Sequence, residues 1–385
     1  MRSNRVLLQI IFGFIIAIAI IQIWFSGNTK FDELALGTET TTYYAKNISN
    51  EPIHISRIDN NEEPGFLQSY INSGKPKTIF FLGNSQTHSI NQINKNQSNF
   101  IQILNDTLFK SDKKVYCQSL PNANLQEFLL SYLYWSDKIN IETLVVPLFF
   151  DDLREDGIRD VFYPNLIRDR YLILDSSSEI AYKINKNLRS YWTQSLDIID
   201  TVNKQVNKNN IALKETVQEG VENKLNTYFE TNVKSWNNRE NVRGDFFVWL
   251  YQLRNTILRI RASTVRKMIP QKYTDNMEAL NLLLNECKQN DVKVLLYIPP
   301  IRNDVPLPYQ LDLYKQFKMD IKKICETEKN KFFFADFDNI IPGYLWGYKA
   351  STNLLDKREV DYMHFKYKAH QILADSIYKH LSFIK

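Results

Sequence analysis

A serine directly follows a short apolar run near the start of the chain. Residues 78–88 read Thr-Ile-Phe-Phe-Leu-Gly-Asn-Ser-Gln-Thr-His, and the first five predict a buried strand of a parallel sheet. Gly83 permits a tight turn after that strand. If a helix begins near Ser85, its hydroxyl lies at a strand's carboxyl end and at a helix amino terminus, where N–H groups stabilise an anion. That placement suits the nucleophile of acyl transfer, although such turns also serve as plain connections.

A serine hydroxyl needs a base to take its proton and a carboxylate to orient that base. The chain contains five histidines, His54, His88, His364, His370 and His380. Only His364 lies in a predicted loop before a carboxyl-terminal helix with an aspartate, Asp361, three residues earlier. We expect His54 to be a solvated histidine and His88 to face away from the rim that carries Ser85. The spacing of Asp361 and His364 lets both come from one tight turn, so they are the candidate base and its orienter.

Strand and helix patterns alternate on both sides of these residues. Short apolar strands are predicted at 115–117, 143–150, 293–298 and 331–335, and helices at 100–109, 125–135, 275–290, 308–328 and 366–384. This alternation predicts a three-layer α/β domain with a mainly parallel sheet. Ligands of such sheets bind beyond the carboxyl ends of the strands, so the Ser85 turn, the loop 119–124 and the Asp151–Asp152 pair should share one rim.

The α/β pattern is interrupted by a long polar segment. Residues 163–270 lack buried-strand runs and are predicted to form a helical insertion, which splits the core domain into 77–162 and 271–385. Within the insertion, 246–268 combine aromatic residues with arginines. Such a helix can pack on the sheet with a solvated basic side, or it can lie at a membrane surface. Residues 28–76, which are polar with two Gly/Pro punctuations, are interpreted as a stalk.

The amino terminus has the length and composition of a membrane span. Residues 6–25 are mostly apolar, Arg2 and Arg5 precede them, and the next basic residue is Lys30. The positive-inside rule then predicts a cytoplasmic amino terminus and an anchor within 1–27, with everything after it extracytoplasmic. A cleaved signal peptide is the alternative, but its apolar region is normally shorter.

Composition excludes several classes of function. The hydrophobic share of 44% supports a sizeable core, and the net charge of +5 arises from 48 basic and 43 acidic residues spread along the chain, which argues against a nucleic-acid partner. Cys117, Cys287 and Cys325 lack metal-ligand spacing. We therefore predict no metal and no cofactor. Cys287 and Cys325 could form a disulfide, but buried free thiols are the favoured interpretation.

Two blocks of the sequence resemble the SGNH (GDSL-like) hydrolase superfamily. Gly-x-Ser follows the first core strand and Asp-x-x-His precedes the last helix, and the resemblance covers about 80–150 and 275–385. It implies a flavodoxin-like α/β fold with Ser85 as nucleophile, His364 as base and Asp361 as its orienter. It also implies an oxyanion hole that includes the backbone N–H groups of Ser85 and Asn122.

The chain departs from the family pattern at two loops. The second block of the family supplies a glycine N–H, where residues 121–124 here read Pro-Asn-Ala-Asn, and the third block supplies an asparagine, where this chain has Asp151. An ionised aspartate cannot donate a hydrogen bond, and loss of one oxyanion donor costs about 100- to 1,000-fold in rate. Asn122 or Asn124 could supply the amide instead. Asp151 and Asp152 could then bind a substrate ammonium, or simply cap the next helix.

An anchor, an external SGNH-like domain and a helical insertion together resemble the envelope branch of that superfamily, the proteins of teichoic-acid D-alanylation and polysaccharide O-acetylation. The resemblance implies a single-pass, extracytoplasmic serine acyltransferase, aminoacyltransferase or esterase. Its partners would be an acylated donor, an envelope-polymer acceptor and a multi-spanning membrane acyltransferase. The alternative is a non-catalytic protein that keeps the fold to bind the polymer or the integral acyltransferase.

Overall fold

The computed structural model of the chain describes residues 12, 13, 16, 40–56, 58, 62–94, 96–109, 111, 113–159, 178–189, 224, 228 and 239–384. The predicted anchor at 6–25 lies outside these residues except at three positions, and most of the predicted insertion also lies outside them. Among the helices of the described ranges, none is both long and apolar enough to cross a membrane.

The described elements alternate as the sequence pattern predicts. The strands are β1 (Thr40–Thr42), β2 (His54–Ile55), β3 (Thr78–Gly83), β4 (Ser89–Asn91), β5 (Lys114–Ser119), β6 (Ile141–Pro147), β7 (Lys293–Ile298), β8 (Phe332–Asp336), β9 (Trp346–Ala350) and β10 (Arg358–Phe365). The helices are α1 (Glu63–Asn72), α2 (Ser85–His88), α3 (Phe100–Thr107), α4 (Leu125–Ser136), α5 (Arg239–Ile257), α6 (Pro270–Gln289), α7 (Leu311–Glu326) and α8 (Tyr367–Phe383). Residues 179–189 are also helical.

Six strands form one parallel sheet in the order β2-β5-β3-β6-β7-β8. The α/β class and the mainly parallel sheet are therefore confirmed. Without the edge strand β2, the order is that of flavodoxin-like doubly wound sheets, whose ligands bind where the strand order reverses. That reversal lies at β3, the strand that leads directly to Ser85. β1 pairs with β4 and β9 pairs with β10 in two small separate sheets.

Residues 40–76 belong to the folded core, so the prediction of a stalk is wrong for this segment. His54 and Ile55 pair with Cys117 and Gln118 to extend the sheet. Phe66 and Tyr70 of α1 are buried in the same apolar cluster as the central strands. The segment is polar on average, but its few apolar side chains cover the edge of the sheet, and that burial outweighs the average composition.

The chain divides into two compact units. One comprises residues 1–38, 198–261 and 350–359, and the other comprises 39–197, 262–349 and 360–385. The six-stranded sheet lies within the second unit. Residues 39–76 and 262–270 belong to the unit that contains the sheet.

The three cysteines are free and buried. Burial raises the pKa of the Cys117 and Cys325 thiols, to about 12 for Cys325, so both remain protonated at neutral pH. The Cys287–Cys325 disulfide is therefore absent, and the thiols act as small apolar side chains of the core.

Candidate active site

The turn from β3 into α2 presents Ser85 at the carboxyl end of the sheet. Asn84 begins the helix, and its side chain accepts a hydrogen bond from Gln86 N at 3.2 Å. The residues on both sides of Ser85 are buried, while Ser85 itself is half-buried. The predicted helix start is correct, but the helix has only four residues before β4 begins.

Gly83 allows the helix to return closely over the end of the strand. A Cβ atom at this position would lie 2.3 Å from Thr87 Oγ1 and 2.7 Å from Thr87 Cβ. These distances are shorter than any ordinary van der Waals contact. Position 83 requires glycine because there is no space for a Cβ atom. The missing side chain lets the helix, and with it Ser85, lie close to the sheet.

Asp361 and His364 lie on strand β10 and not in a loop as predicted. The Asp361 carboxylate accepts hydrogen bonds from the backbone N–H groups of Met363 and His364, each at 3.0 Å. Its second oxygen lies 3.0 Å from His364 Nδ1. The three-residue spacing thus closes a small hydrogen-bonded ring that fixes the imidazole, even within an extended element.

The structure brings the serine and the histidine together. His364 Nε2 lies 3.1 Å from Ser85 Oγ, and both His364 and Asp361 are buried. Because the Asp361 carboxylate can only accept, the proton of the imidazole resides on Nδ1, which leaves Nε2 as an acceptor for the serine hydroxyl. Ser85, His364 and Asp361 therefore form a continuous hydrogen-bonded chain with the polarity that proton abstraction requires.

The charge of Asp361 is maintained although the side chain is buried. Burial alone raises the pKa of this carboxyl, but the adjacent His364, its hydrogen bonds and the charge of Lys349 together lower it to about 2. The carboxylate is consequently ionised at any pH at which the protein operates. An ionised orienter holds the imidazole in one tautomer.

Asn91 is a site residue that sequence analysis missed. Its Nδ2 donates to Asp361 Oδ2 at 3.2 Å, on the same oxygen that receives the His364 proton. Asn91 is fully buried, and Gly347 packs directly on its amide, since a Cβ at Gly347 would lie 2.2 Å from Asn91 Cγ. No local pattern around residue 91 indicates this role, because Asp361 is 270 positions away in sequence.

Gln86 joins the two halves of the site. Its Nε2 donates to the carbonyl oxygen of Met363 at 2.7 Å and to that of Pro300 at 2.9 Å. The side chain next to Ser85 therefore binds the backbone of the strand that carries His364. Sequence analysis missed Gln86 for the same reason as Asn91, since both of its partners are distant in sequence.

The loop after β5 contains the predicted oxyanion residues in two different settings. Asn122 is exposed and has a φ of 54°, a left-handed conformation that glycine commonly adopts. Asn124 instead caps α4, where its Oδ1 accepts from Glu127 N at 3.0 Å and its Nδ2 donates to Gly157 O at 2.7 Å. The Asn124 amide is thus committed to the protein, which argues against its predicted role in the oxyanion hole.

Asp151 has protein partners instead of an open anionic face. Its carboxylate forms ion pairs with Arg154, at 3.1 Å, and with Arg266, and it accepts a hydrogen bond from Tyr309 at 3.0 Å. Two arginines compensate its charge, so the predicted binding of a substrate ammonium by Asp151 loses its electrostatic basis.

Asp152 is buried beneath the nucleophile turn. Its Oδ2 lies 3.3 Å from Phe149 N and 3.4 Å from Asn84 Nδ2. Burial, together with the charges of Asp151 and Glu155, raises the pKa of the Asp152 carboxyl well above its usual value. Asp152 therefore supports the residue before Ser85 and is poorly suited to bind a substrate cation.

Two histidines outside the Ser85 chain share one hydroxyl. Ser119 Oγ lies 2.7 Å from His54 Nε2 and 2.7 Å from His88 Nδ1, and all three side chains are buried. The prediction that His54 is solvated is wrong. Ala45 N donates to His54 Nδ1 at 3.4 Å, so His54 Nε2 carries the proton and donates to Ser119 Oγ, and the Ser119 hydroxyl donates to His88 Nδ1.

Within the described residues, no group of three or more histidine, cysteine or acidic side chains is arranged to hold a metal ion.

No protein-family model and no curated protein matches this sequence. Similar solved structures include a putative acylhydrolase from Bacteroides fragilis NCTC 9343, at 12% identity and a TM-score of 0.35, with 84% of this chain and 97% of that chain covered. Another is an active-site mutant of a family two carbohydrate esterase from Clostridium thermocellum, at 10% identity and a TM-score of 0.34, with 79% and 63% covered. At TM-scores this low, neither structure bears on the activity of this chain, whose function is inferred from its own side chains.

Proposed function

We propose that the chain is a serine esterase or acyltransferase of the SGNH type, with Ser85 as nucleophile, His364 as base and Asp361 as orienter. The observation that carries the proposal is the continuous hydrogen-bonded chain from Ser85 through His364 to Asp361, at 3.1 Å and 3.0 Å. Its position at the reversal point of a doubly wound sheet supports the same conclusion, because ligands of such sheets bind there.

The proposed reaction has two stages. In the first, Ser85 Oγ attacks the acyl carbonyl of the donor while His364 Nε2 takes the hydroxyl proton. The tetrahedral intermediate then collapses, His364 returns that proton to the leaving alcohol, and the acyl group remains as an ester on Ser85. In the second, water or an acceptor alcohol gives its proton to His364 and attacks this ester, which releases the acid or the acylated acceptor and restores Ser85.

The negative charge of each tetrahedral intermediate needs hydrogen-bond donors. We assign this role to the backbone N–H groups of Ser85 and Asn122. Asn122 supports the assignment because its left-handed φ of 54° gives this loop the conformation that a glycine would provide. Its side chain is exposed, so it can also approach a bound substrate. The side-chain amide of Asn124 does not contribute to this oxyanion hole, because it donates to Gly157 O.

For the substrate and the location, the proposal rests on the sequence. The apolar run at 6–25 supports a single-pass anchor with the catalytic unit outside the membrane. An enzyme in that location would acylate or deacylate an envelope polymer, using a donor supplied by a multi-spanning membrane acyltransferase. An acetyl or other uncharged acyl group fits the site better than an aminoacyl group, because Asp151 is paired with arginines and Asp152 is buried.

A serine-directed fluorophosphonate probe tests the catalytic assignment. We expect the full-length protein to be labelled, Ser85→Ala to lose labelling, and His364→Asn to slow labelling by about 1,000-fold or more, because the serine then lacks its base. Ser136→Ala, which alters a partly buried serine on α4, is the matched control and should label normally. Absence of labelling in well-folded protein would favour the non-catalytic binding role instead.

The transferred group can be identified in cells. The content of one class of acyl or aminoacyl ester of the envelope should change in a strain that carries Ser85→Ala, with a decrease if the chain is a transferase and an increase if it is an esterase, and the ester that changes identifies the substrate class. If the ester content is unchanged in this strain while the wild-type protein is labelled at Ser85, the assignment of Ser85 as nucleophile stands. The envelope polymer is then refuted as the acceptor.

A further inference from the structure

Helix α5 is amphipathic, but its apolar side chains face solvent and polar side chains face the protein. With 3.6 residues per turn, Phe246, Leu250, Leu253 and Ile257 fall on one face of the helix. Phe246, Leu250 and Ile257 are 45%, 38% and 71% exposed. Trp249, at 44% exposure, flanks them. We call these five residues the α5 apolar face, and it lies toward solvent in the structure.

The side of α5 that packs inward is polar. Asn255 is fully buried and donates to the carbonyl of Thr352 at 2.9 Å, and Gln252 donates to that of Ser351 at 3.0 Å. The hydroxyl of Thr256 accepts from Leu354 N at 2.9 Å. These bonds join α5 to residues 350–359 of the same unit and fix which side of the helix points outward.

Exposure of the α5 apolar face to water is unfavourable. Contiguous apolar patches on soluble proteins usually mark a binding surface, and here the residues that would ordinarily be exposed are the buried ones. The adjoining loop adds Leu354 and Leu355, which are 43% and 74% exposed. The outward face of this unit therefore has the composition of a surface that is covered in the working protein.

The charges around the face indicate what covers it. Between Phe246 and Arg261 the sequence has three arginines and no acidic residue. Arg261 pairs with Asp356 of the adjoining loop at 3.8 Å, so Arg254 and Arg259 carry the basic character of the rim. Such a rim complements anionic lipid headgroups and would repel a second copy of the same face. Trp249 is amphipathic, as are the aromatic residues that concentrate at membrane–water interfaces.

We propose that the α5 apolar face lies in the headgroup region of an anionic bilayer, with the helix axis parallel to the membrane plane. Helix α5 is not apolar enough to span a membrane, and its buried polar face already has protein partners, so the in-plane orientation is the one that satisfies both faces. The same compact unit includes residues 1–38, which contain the predicted anchor. The inference shares that anchor with the proposed function but does not depend on the chemistry of Ser85.

Lipid-dependent fluorescence quenching tests this contact on the full-length chain. A Leu250→Cys variant is labelled with an environment-sensitive fluorophore and reconstituted in nanodiscs of phosphatidylglycerol and phosphatidylcholine that contain nitroxide lipid. Met319→Cys on α7, which is also well exposed, is the matched control. We expect at least about twofold stronger quenching at position 250 than at 319, together with a blue-shifted emission. Ile257→Cys provides a second label if the first variant folds poorly.

A double charge-reversal variant tests whether the arginines contribute to lipid binding. Arg254→Glu combined with Arg259→Glu should lower quenching at position 250 by about twofold or more in anionic discs, with little change in discs of phosphatidylcholine alone. Quenching at position 250 equal to the control would overturn the proposal. So would a blue-shifted label that lipid nitroxide does not quench, because a protein surface would then cover the face, and so would failure of the chain to associate with the discs. Ser85→Ala should change none of these results, so the outcome is independent of catalysis.

Discussion

The charge on Asp361 decides which nitrogen of His364 faces Ser85. The carboxylate receives the Nδ1 proton at 3.0 Å, and it also accepts from two backbone N–H groups and from Asn91. The charge and hydrogen bonds of His364, together with the charge of Lys349, outweigh the cost of burying the carboxylate, and its pKa falls to about 2. Asn91 is therefore a positioning residue that acts on the base through Asp361.

Removal of the Asn91 donor should weaken the base without affecting the nucleophile directly. We expect Asn91→Ala to lower kcat by about 10- to 100-fold, because a hydrogen bond to a charged group is worth about 1.5–3 kcal/mol. The kcat–pH profile should shift along the pH axis together with this loss, because Asn91 acts on His364 through Asp361. An unchanged kcat and pH profile in folded protein would refute a positioning role.

Gly347→Ala is the companion variant. Its added methyl group would overlap the Asn91 amide and displace it from Asp361. We expect the same kinetic defect as in Asn91→Ala, with little further loss when both changes are combined, because the two act through one hydrogen bond. Additive losses would show that Gly347 contributes separately.

At the scale of elements, close packing between β3 and α2 determines where the serine stands. Four residues of helix follow the strand before β4 starts, so the hydroxyl depends on the turn and not on a long helix. Gln86 and Asn91, which lie on the elements immediately after Ser85, bind β10 directly. The two halves of the site are thus held by side chains adjacent to the reacting groups.

Gly83→Ala should disturb this turn. Because the new Cβ would lie within 2.8 Å of three atoms of Thr87, we expect a loss of about 1–3 kcal/mol in the free energy of unfolding, measured by urea titration. Probe labelling of Ser85 should slow in parallel. Thr87→Ala should restore part of both losses, since it removes Oγ1 and Cγ2 but leaves Cβ. No rescue would indicate that backbone strain, and not this contact, requires the glycine.

The sequence predicts the central strands well because their burial is nearly complete. The strand predicted at 293–298 is found with the same bounds, and the apolar run at 78–82 extends only to Gly83. Residues 40–76 are misjudged because a two-residue edge strand leaves no periodic signal. Asp361 and His364 have the predicted spacing but lie on a strand, whose mixed composition resembles a loop.

The predicted candidate site shows the same limit. Ser85, His364 and Asp361 were chosen from local motifs, and the structure brings their side chains within hydrogen-bonding distance. Gln86 and Asn91 have no local motif, because their partners come from the opposite end of the chain. Two of the three partners of Asp151 are also distant, since Arg266 is 115 and Tyr309 is 158 positions away. Pairing across such separations is a property of the fold and is absent from any short window of sequence.

At the scale of the whole molecule, three histidines are buried without a compensating anion. Burial is the largest cause that lowers the pKa of His54, His88 and His370, to about 3 for the last two. His370 Nδ1 accepts from Phe100 N at 3.2 Å, and its Nε2 has no hydrogen-bond partner in the described part of the chain. Each of these rings is therefore neutral in the folded protein.

Acid should destabilise the protein well above the pKa of its carboxylates. The unfolded chain binds protons at these histidines as the pH falls through about 6.5, whereas the folded chain binds them at His88 and His370 only near 3. The stability that comes from burying these rings in the neutral form is thus fully present above about pH 6.5. It is lost as the pH falls toward about 3, by up to about 1.4 kcal/mol per pH unit for each histidine. Urea midpoints measured from pH 7 to pH 5 should decrease accordingly.

His370→Asn tests the contribution of one ring. Asparagine retains an acceptor for Phe100 N–H but cannot titrate, so the decrease in the free energy of unfolding between pH 6.5 and pH 5 should be smaller by about 1–2 kcal/mol. His380→Asn, on the same helix but only half-buried, is the matched control for the substitution itself. An unaltered slope in His370→Asn would mean that His370 is not buried as a neutral ring.

The order of the site residues along the chain has a consequence for synthesis. Ser85 is made early, and the histidine that faces it is 279 positions later, three residues after Asp361. A ribosome-bound chain therefore carries its nucleophile through most of translation without a base, an orienter or the strand that Gln86 binds. In the proposed mechanism, acyl capture by Ser85 begins only when β10 has been added, so a growing chain cannot acylate itself prematurely.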